Sequence, residues 1–313
     1  MKSNPDFLVF TAVADAYGHA CEFLKLARPE DRLALEQALK FEKYVTHPRF
    51  GSRAGCYTDD TEMSVANTKV LLRVGHPWHD VITQEMWAQA YVEEFNYGGR
   101  RKGYSRGFQS VLESAKDGED LLHKLKRDSK KNGGAMRSVP FGVIKKSEDA
   151  IDLAASSADT THNTYEGRFG ATAVAGMSHY AFHSGETDFS KLTEYLQDVC
   201  YYSFADYDYI LHGRWDLGPV VGCQEIGITP ATVWAVIDLL TEPGASLMGM
   251  LEKAIRWGGD VDSVASIAWG IGSTLLPHDD VPDFMFYNLE YWSPKTGVER
   301  LRSLGTQLME KFG

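Results

Sequence analysis

Apolar residues recur at helical spacing along most of the chain and alternate almost nowhere. Met63, Val65, Ala66, Val70 and Leu71 follow Thr61 as one face of an amphipathic helix. Residues 6–24 read as a helix interrupted at Gly18, with Asp15 and Glu22 seven apart and so on nearly one face. A charged helical piece is expected near 30–43, and further helices over 79–96, 108–127, 148–158, 164–183 and 188–200. Thr161 and Asn163 are candidate caps for the helix over 164–183. Thr229-Pro230 supplies an N-cap and an N1 proline for a helix to about 241. Leu247, Met248, Met250, Leu251, Ala254 and Ile255 mark the next, and residues 263–275 and 298–311 complete the set. Residues 201–228 are aromatic and loop-rich. Strand signals are poor, no repeat stands out and no linker-like shift in composition occurs. The pattern predicts one all-α domain over residues 1–313.

Composition narrows the function classes. The chain has 313 residues, 43% of them hydrophobic, which is ample for a sizeable core. No apolar stretch reaches the roughly 18 residues that span a membrane. Asp and Glu outnumber Lys and Arg by 43 to 32, a net charge of −11, which argues against nucleic-acid binding but leaves room for a local pocket for an anionic ligand. Cys21, Cys56, Cys200 and Cys223 are scattered without a C-x-x-C pair, as expected of reduced, mostly buried thiols in a cytoplasmic protein. Residues 7–14 have the apolarity of a short signal segment, but only Lys2 precedes them and Asp15 follows at once, which argues against one. A monomer with no membrane partner is expected.

Two stretches concentrate oxygen donors. In Gly258-Gly259-Asp260-Val261-Asp262-Ser263, carboxylates two residues apart converge only on extended or looped backbone, which the paired glycines permit. Asp262 or Ser263 is placed to cap the helix that follows. Thr58-Asp59-Asp60-Thr61 repeats the chemistry at another helix start. Either alone reads most simply as an acidic cap. Together they hold four Asp and several hydroxyls, which would be costly to cluster without a divalent cation. Two oxygen-ligated ions about 4 Å apart would fit. In Asn132-Gly133-Gly134-Ala135-Met136-Arg137, glycines at positive φ would let successive amides form an anion nest, with Arg137 adding charge. Arg100, Arg101, Lys102 and Arg106 read as a solvated basic loop. Gly270-Ile271-Gly272 lies inside a helical run and is no dinucleotide fingerprint. His79-Asp80 has the form of a paired ligand of all-helical HD phosphohydrolases, with His47 and Asp159 as nominal companions.

Thr58-Asp59-Asp60-Thr61, Asn132–Arg137, Thr161-His162 and Gly259–Ser263 occur in the order seen in the ADP-ribosylglycohydrolases, and the chain resembles that family over roughly residues 7–310. The resemblance implies a compact multi-helix orthogonal bundle holding two Mg²⁺ or Mn²⁺ ions. Thr58, Asp59 and Asp60 would bind one ion, Asp262 would bridge, and Asp260 and Ser263 would complete the second site. Glu22 falls where relatives place a glutamate near the metals, and Asp59, Asp60 and Glu22 would serve catalysis. Asn132, Gly133, Gly134, Met136, Arg137 and His162 would lie against ADP-ribose. The implied activity is hydrolysis of the bond between ADP-ribose and a modified protein acceptor, arginine preferred and serine second. A non-catalytic ADP-ribose-binding, crystallin-like member would usually lack ligands, and all six positions are filled here. Ala14 replaces the usual glycine before Asp15, Ser263 replaces the commoner threonine, and Gly222-Cys223-Gln224-Glu225 offers no match to the aromatic that some relatives place near the nucleotide.

Overall fold

Two helices with no exposed face set the architecture. In the computed structural model, which describes residues 1–75, 78, 81–222 and 226–313, Phe7–Gly18 and Val261–Gly272 are buried at all twelve of their positions each. A helix apolar all round belongs at the centre of a fold, and these two pack against each other along their length. Glycines allow the close crossing at both ends. A Cβ on Gly18 would stand 2.8 Å from the Asp262 Cα, and one on Gly270 would stand 2.3 Å from the Thr11 hydroxyl oxygen.

Around this pair lie Asp59–Arg73, Tyr165–His183, Ile228–Thr241, Leu247–Trp257 and Val298–Phe312. Gln84–Tyr97 packs on Asp59–Arg73, and Ser147–Asp159 on Tyr165–His183. The protein is all-α: the described residues form helices and short 3₁₀ segments, with two isolated β-bridges and no strand among them. One continuous apolar core runs from Phe7 to Met309. No helix among the described residues is long and apolar enough to cross a membrane.

Several expected boundaries move, each for a local reason. The stretch 108–127 is two helices, Arg106–Ser114 and Gly118–Lys124. Asp117 restarts the second by accepting from the Asp120 amide at 2.8 Å, and Gly118 lies against the Gln89 backbone, where a Cβ would meet nitrogen at 2.5 Å. The first charged helix is Pro29–Ala38. Gln84–Tyr97 begins after its cap Thr83 rather than at 79, and 79–80, the HD-like pair, lie outside the described residues. The long Tyr165–His183 helix is capped by Thr164, which accepts from Gly167 N, not by Thr161 or Asn163. Leu192–Val199 replaces the expected 188–200. Ile228–Thr241 has Gly227 as its N-cap, and Thr229 instead donates to the Lys130 carbonyl at 2.9 Å.

Cys21 and Cys200 are buried, which pushes both thiols up to about 12, and the half-buried Cys56 is pushed up to about 11. All three stay as inert thiols. Cys223, with Gln224 and Glu225, lies outside the described residues.

Candidate metal centre

The two acidic stretches, 200 residues apart in sequence, meet at the N-termini of two packed helices. Gly258 and Gly259 take φ of 77° and 81°, as the looped approach requires. Gly259 also lies where a Cβ would be 2.4 Å from the Val220 carbonyl oxygen, and Asp260 N donates to that carbonyl at 2.9 Å. Asp260 is thus the N-cap, and the helix begins at Val261, two residues before the expected start. Asp262 falls in its first turn, where Ser263 N donates to Asp262 Oδ1 at 3.1 Å. Gly18 lets the backbone at Asp262 close on the end of the N-terminal helix.

Asp59 and Asp60 open the other helix, after Thr58 in extended backbone. Its cap is borrowed from a distant segment. Asp15, with no exposed surface, accepts from the amides of Thr58 and Thr61 at 3.0 Å and from their hydroxyls at 2.8 and 2.6 Å. Burial pushes the Asp15 carboxyl up while those hydrogen bonds pull it down. Ser266 donates to Asp60 Oδ1 at 3.3 Å, and the Ser263 hydroxyl also bonds Asp60. Asn132 Nδ2 donates to Asp260 Oδ2 at 2.9 Å. Three motifs read separately in the sequence therefore share one site.

The electrostatics are those of crowded acids. Burial, then the charges on Asp15, Asp59 and Asp260, holds Asp60 well above the usual carboxylate range. Burial, then Glu22 and Asp60, does the same to Asp262, and burial, then Asp260 and Asp15, to Glu22. Asp59, half-buried, is raised by loss of solvent and by Asp15 and Glu22. So many acids in one recess must either take up protons or share a cation. Their oxygen donors suit a hard divalent ion, so the residues fit Mg²⁺ or Mn²⁺. His19 joins them: its ring nitrogen and oxygens of Glu22 and Asp262 all lie within 4.8 Å of one another. Sequence reasoning missed His19. Its one signal was position, directly after Gly18 and three residues before Glu22.

A cavity of about 460 Å³ opens from Asp59. Asn132, Gly133, Met136, Arg137 and His162 line it, together with Phe108, Lys126 and Lys131. Gly134 does not. It faces inward, where a Cβ would stand 2.9 Å from the Gly167 carbonyl oxygen. The expected anion nest is absent, because neither Gly133 nor Gly134 takes positive φ and Gly133–Met136 is a single helical turn. The glycines are needed for closeness instead, since a Cβ on Gly133 would meet the His162 ring at 2.6 Å. Arg137 likewise adds no exposed charge. Its buried guanidinium donates to Gly133 O at 2.7 Å and to Ser157 O and Thr161 Oγ1 at 2.8 Å, beside the Tyr91 ring. Thr161 then passes its own proton toward His162 Nδ1 at 2.7 Å, which leaves the hydrogen of the neutral ring on Nε2. Burial, then Arg137 and Lys131, lowers His162 to about 3, so the ring stays neutral.

The basic loop is another correction. Arg100 is exposed, but Arg101, its side chain only 9% exposed, is held between Glu62 Oε1 and Glu290 Oε1, at 3.0 Å from each, and lies 3.9 Å above the Tyr57 ring. The clamp presses Gly103 onto the acidic helix start, where a Cβ would be 2.9 Å from Thr58 Cβ and 3.1 Å from Asp59 Oδ1.

Comparison with known proteins gives the fold and the family. A solved structure described as an ADP-ribosylglycohydrolase-related protein complex superposes with a TM-score of 0.70 at 20% identity, over 99% of this chain and 97% of that one. No curated protein sequence matches. The sequence profile of the ADP-ribosylglycohydrolases matches residues 7–313, and the chain belongs to that glycohydrolase-type family.

Proposed function

We propose that the protein hydrolyses the glycosidic bond between C1 of ADP-ribose and a modified protein acceptor, arginine in preference to serine, with two Mg²⁺ or Mn²⁺ ions. Thr58, Asp59 and Asp60 would hold one ion and Asp260 and Ser263 the other, with Asp262 between them. The observation that carries this reading is the convergence of Asp59, Asp60, Asp260, Asp262 and Glu22 in one recess, of which Asp59 also lines a cavity of about 460 Å³, within the usual range for ligand sites. Bound ions would orient the ribose hydroxyls and offset charge as the ring becomes oxocarbenium-like.

The chain's own groups divide the remaining work. Asp59 lines the cavity and keeps partial exposure, so it is the carboxylate that positions and deprotonates the attacking water. Asp60, 3% exposed and bonded by Ser266, holds the arrangement instead. Lys126 and Lys131 on the wall favour the diphosphate, and neutral His162 offers Nε2–H to a ligand oxygen. A protonated guanidinium suits the acidic mouth better than a serine oxygen, which is the ground for preferring arginine.

The test is release of free ADP-ribose from arginine-modified and serine-modified proteins, with and without added Mg²⁺ or Mn²⁺. Metal-dependent release is expected, faster from arginine. No metal-dependent release from either substrate would overturn the proposal, and release of phosphate from a nucleotide instead would point to the HD-type chemistry.

A further inference from the structure

His19 is held more firmly than a core histidine needs to be. It follows Gly18 where the N-terminal helix tightens into the 3₁₀ turn His19–Cys21, and it is 4% exposed. Nε2 lies 2.7 Å from the Ser52 hydroxyl, and the His47 and Phe50 rings stack beside the imidazole, each at 5.7 Å. His47 is itself fixed. Its Nδ1 accepts from the amides of Arg49 and Phe50 at 3.1 Å, so Nε2 donates to the Glu22 carbonyl at 2.9 Å. Residues 47–52 thereby set both the plane of the His19 ring and the backbone at Glu22.

What remains is His19 Nδ1, which faces Glu22 Oε2 at 3.2 Å and Asp262 Oδ2 at 3.5 Å. Charge-assisted N–H···O bonds are shorter, about 2.7–2.9 Å. Donors on adjacent corners of an octahedron with bonds of about 2.2 Å stand about 3.1 Å apart. Both separations match the edges of a coordination shell, and the shorter one is also within hydrogen-bond reach.

We propose that His19 Nδ1 ligates a divalent cation together with Glu22 and Asp262, making this edge of the centre a mixed nitrogen–oxygen site that takes Mn²⁺ or a later first-row ion over Mg²⁺. The inference rests on the metal-centre reading above and adds a ligand and a selectivity to it. Mg²⁺ favours oxygen donors and sheds water reluctantly, whereas imidazole suits transition ions. Ser52, on the far ring nitrogen, is the outer partner that holds a ligating imidazole in the required tautomer. A purely hydrogen-bonding His19 would leave the choice of ion to oxygens alone.

The experiment is pulsed electron paramagnetic resonance of the full chain with Mn²⁺ alone, on protein made with ordinary and with ¹⁵N-labelled histidine. Modulation from a directly bound nitrogen is expected, changing with the isotope and vanishing in His19→Ala. Calorimetric titration should show His19→Ala binding Mn²⁺ about tenfold or more weakly, with Mg²⁺ affinity changed by less than about threefold. If His19→Ala fails to fold, the isotope experiment on the unaltered chain decides the ligation. Stoichiometric Mn²⁺ binding without nitrogen modulation, or an unchanged preference between the two ions in the variant, overturns the role of His19. No Mn²⁺ binding by the unaltered chain overturns the metal centre itself.

Discussion

Arg101→Met deletes one guanidinium and leaves an apolar stem of similar reach. In the native protein that group joins two carboxylates, Glu62 and Glu290, whose side chains are each 1% exposed, and donates to the Tyr57 carbonyl at 2.7 Å. Removing one partner of a buried ion pair costs roughly 3–5 kcal/mol, because the remaining charge is stranded. In a chain of this size each kcal/mol moves the melting temperature by about 2 °C, so a loss of about 6–10 °C is expected near neutral pH. Arg100→Met is the control. Arg100 is exposed, and the change should stay within about 0.5 kcal/mol.

The pH dependence makes the argument sharper. Burial lifts Glu62 to about 7, against the opposing pull of Arg101 and Tyr104. A folded value above the ordinary 4.5 means that the folded state holds the proton more tightly. Stability from this group is therefore full below about 4.5 and lost as pH rises through about 7. Without Arg101 the folded value climbs further, and the variant goes on losing stability above pH 7 after the native protein has levelled off. Thermal melts followed by circular dichroism should show a small deficit at about pH 5.5 and the widest one at about pH 8. Equal melting temperatures at the higher pH, or a deficit that widens in acid, would refute the clamp.

Gly18→Ala drives a methyl group into the Asp262 backbone at 2.8 Å, and overpacking of that kind costs about 1–3 kcal/mol. The urea midpoint should fall with it, and an unchanged midpoint would show that the crossing has slack. Asp262→Asn removes one charge from a group of mutually raised carboxylates, so in a chelator the variant should melt above the native chain. It should also lose much of the stabilisation that a divalent ion gives, about 2.7 kcal/mol at a hundredfold excess over Kd; a lower melting temperature in chelator contradicts the repulsion. Thr161→Val breaks the link from Arg137 to His162, and calorimetry should show ADP-ribose binding about tenfold weaker, or about 1.4 kcal/mol. Unchanged affinity would remove His162 from the ligand site.

What the sequence made legible was local chemistry. Thr58–Thr61 and Gly258–Ser263 carry their own signals, a hydroxyl or acid beside a helix start and a glycine pair before the second, and both do open helices, the second from Val261 with Asp260 as its cap rather than Asp262 or Ser263. The two Gly-Gly pairs show where such signals stop. Gly258-Gly259 needs positive φ, whereas Gly133-Gly134 is helical and needs the missing Cβ for packing on His162 and Gly167. Both demands select the same residue, so only tertiary structure separates them. Arg101 was hidden in the same way. Among three consecutive basic residues nothing local singles out the one that turns inward, because its partners are Glu62 and Glu290, the second 189 positions away. His19 was missed because most of the ring's neighbours come from residues 47–52 and from Asp262.

These long-range contacts share a purpose that the acidic motifs alone do not explain. Five carboxylates drawn out of water repel one another, so the centre works against the fold that builds it. Three devices hold the centre together against that repulsion, although the charge of the first adds to it. Asp15 satisfies two amides and two hydroxyls at the Thr58–Thr61 turn and so anchors the acidic helix to the N-terminal one. Arg101 fastens the loop that covers Asp59 to two further carboxylates. The largest share falls to the crossing of Phe7–Gly18 with Val261–Gly272, where Phe7, Leu8, Val9, Ile267, Trp269 and Ile271 are fully buried. At roughly 1.5–3 kcal/mol for each large apolar side chain, burial of this pair opposes the repulsion of the acids at its open end. The same crossing brings Gly18 against Asp262, so the contact that stabilises the protein is also the one that sets the position of its central carboxylate.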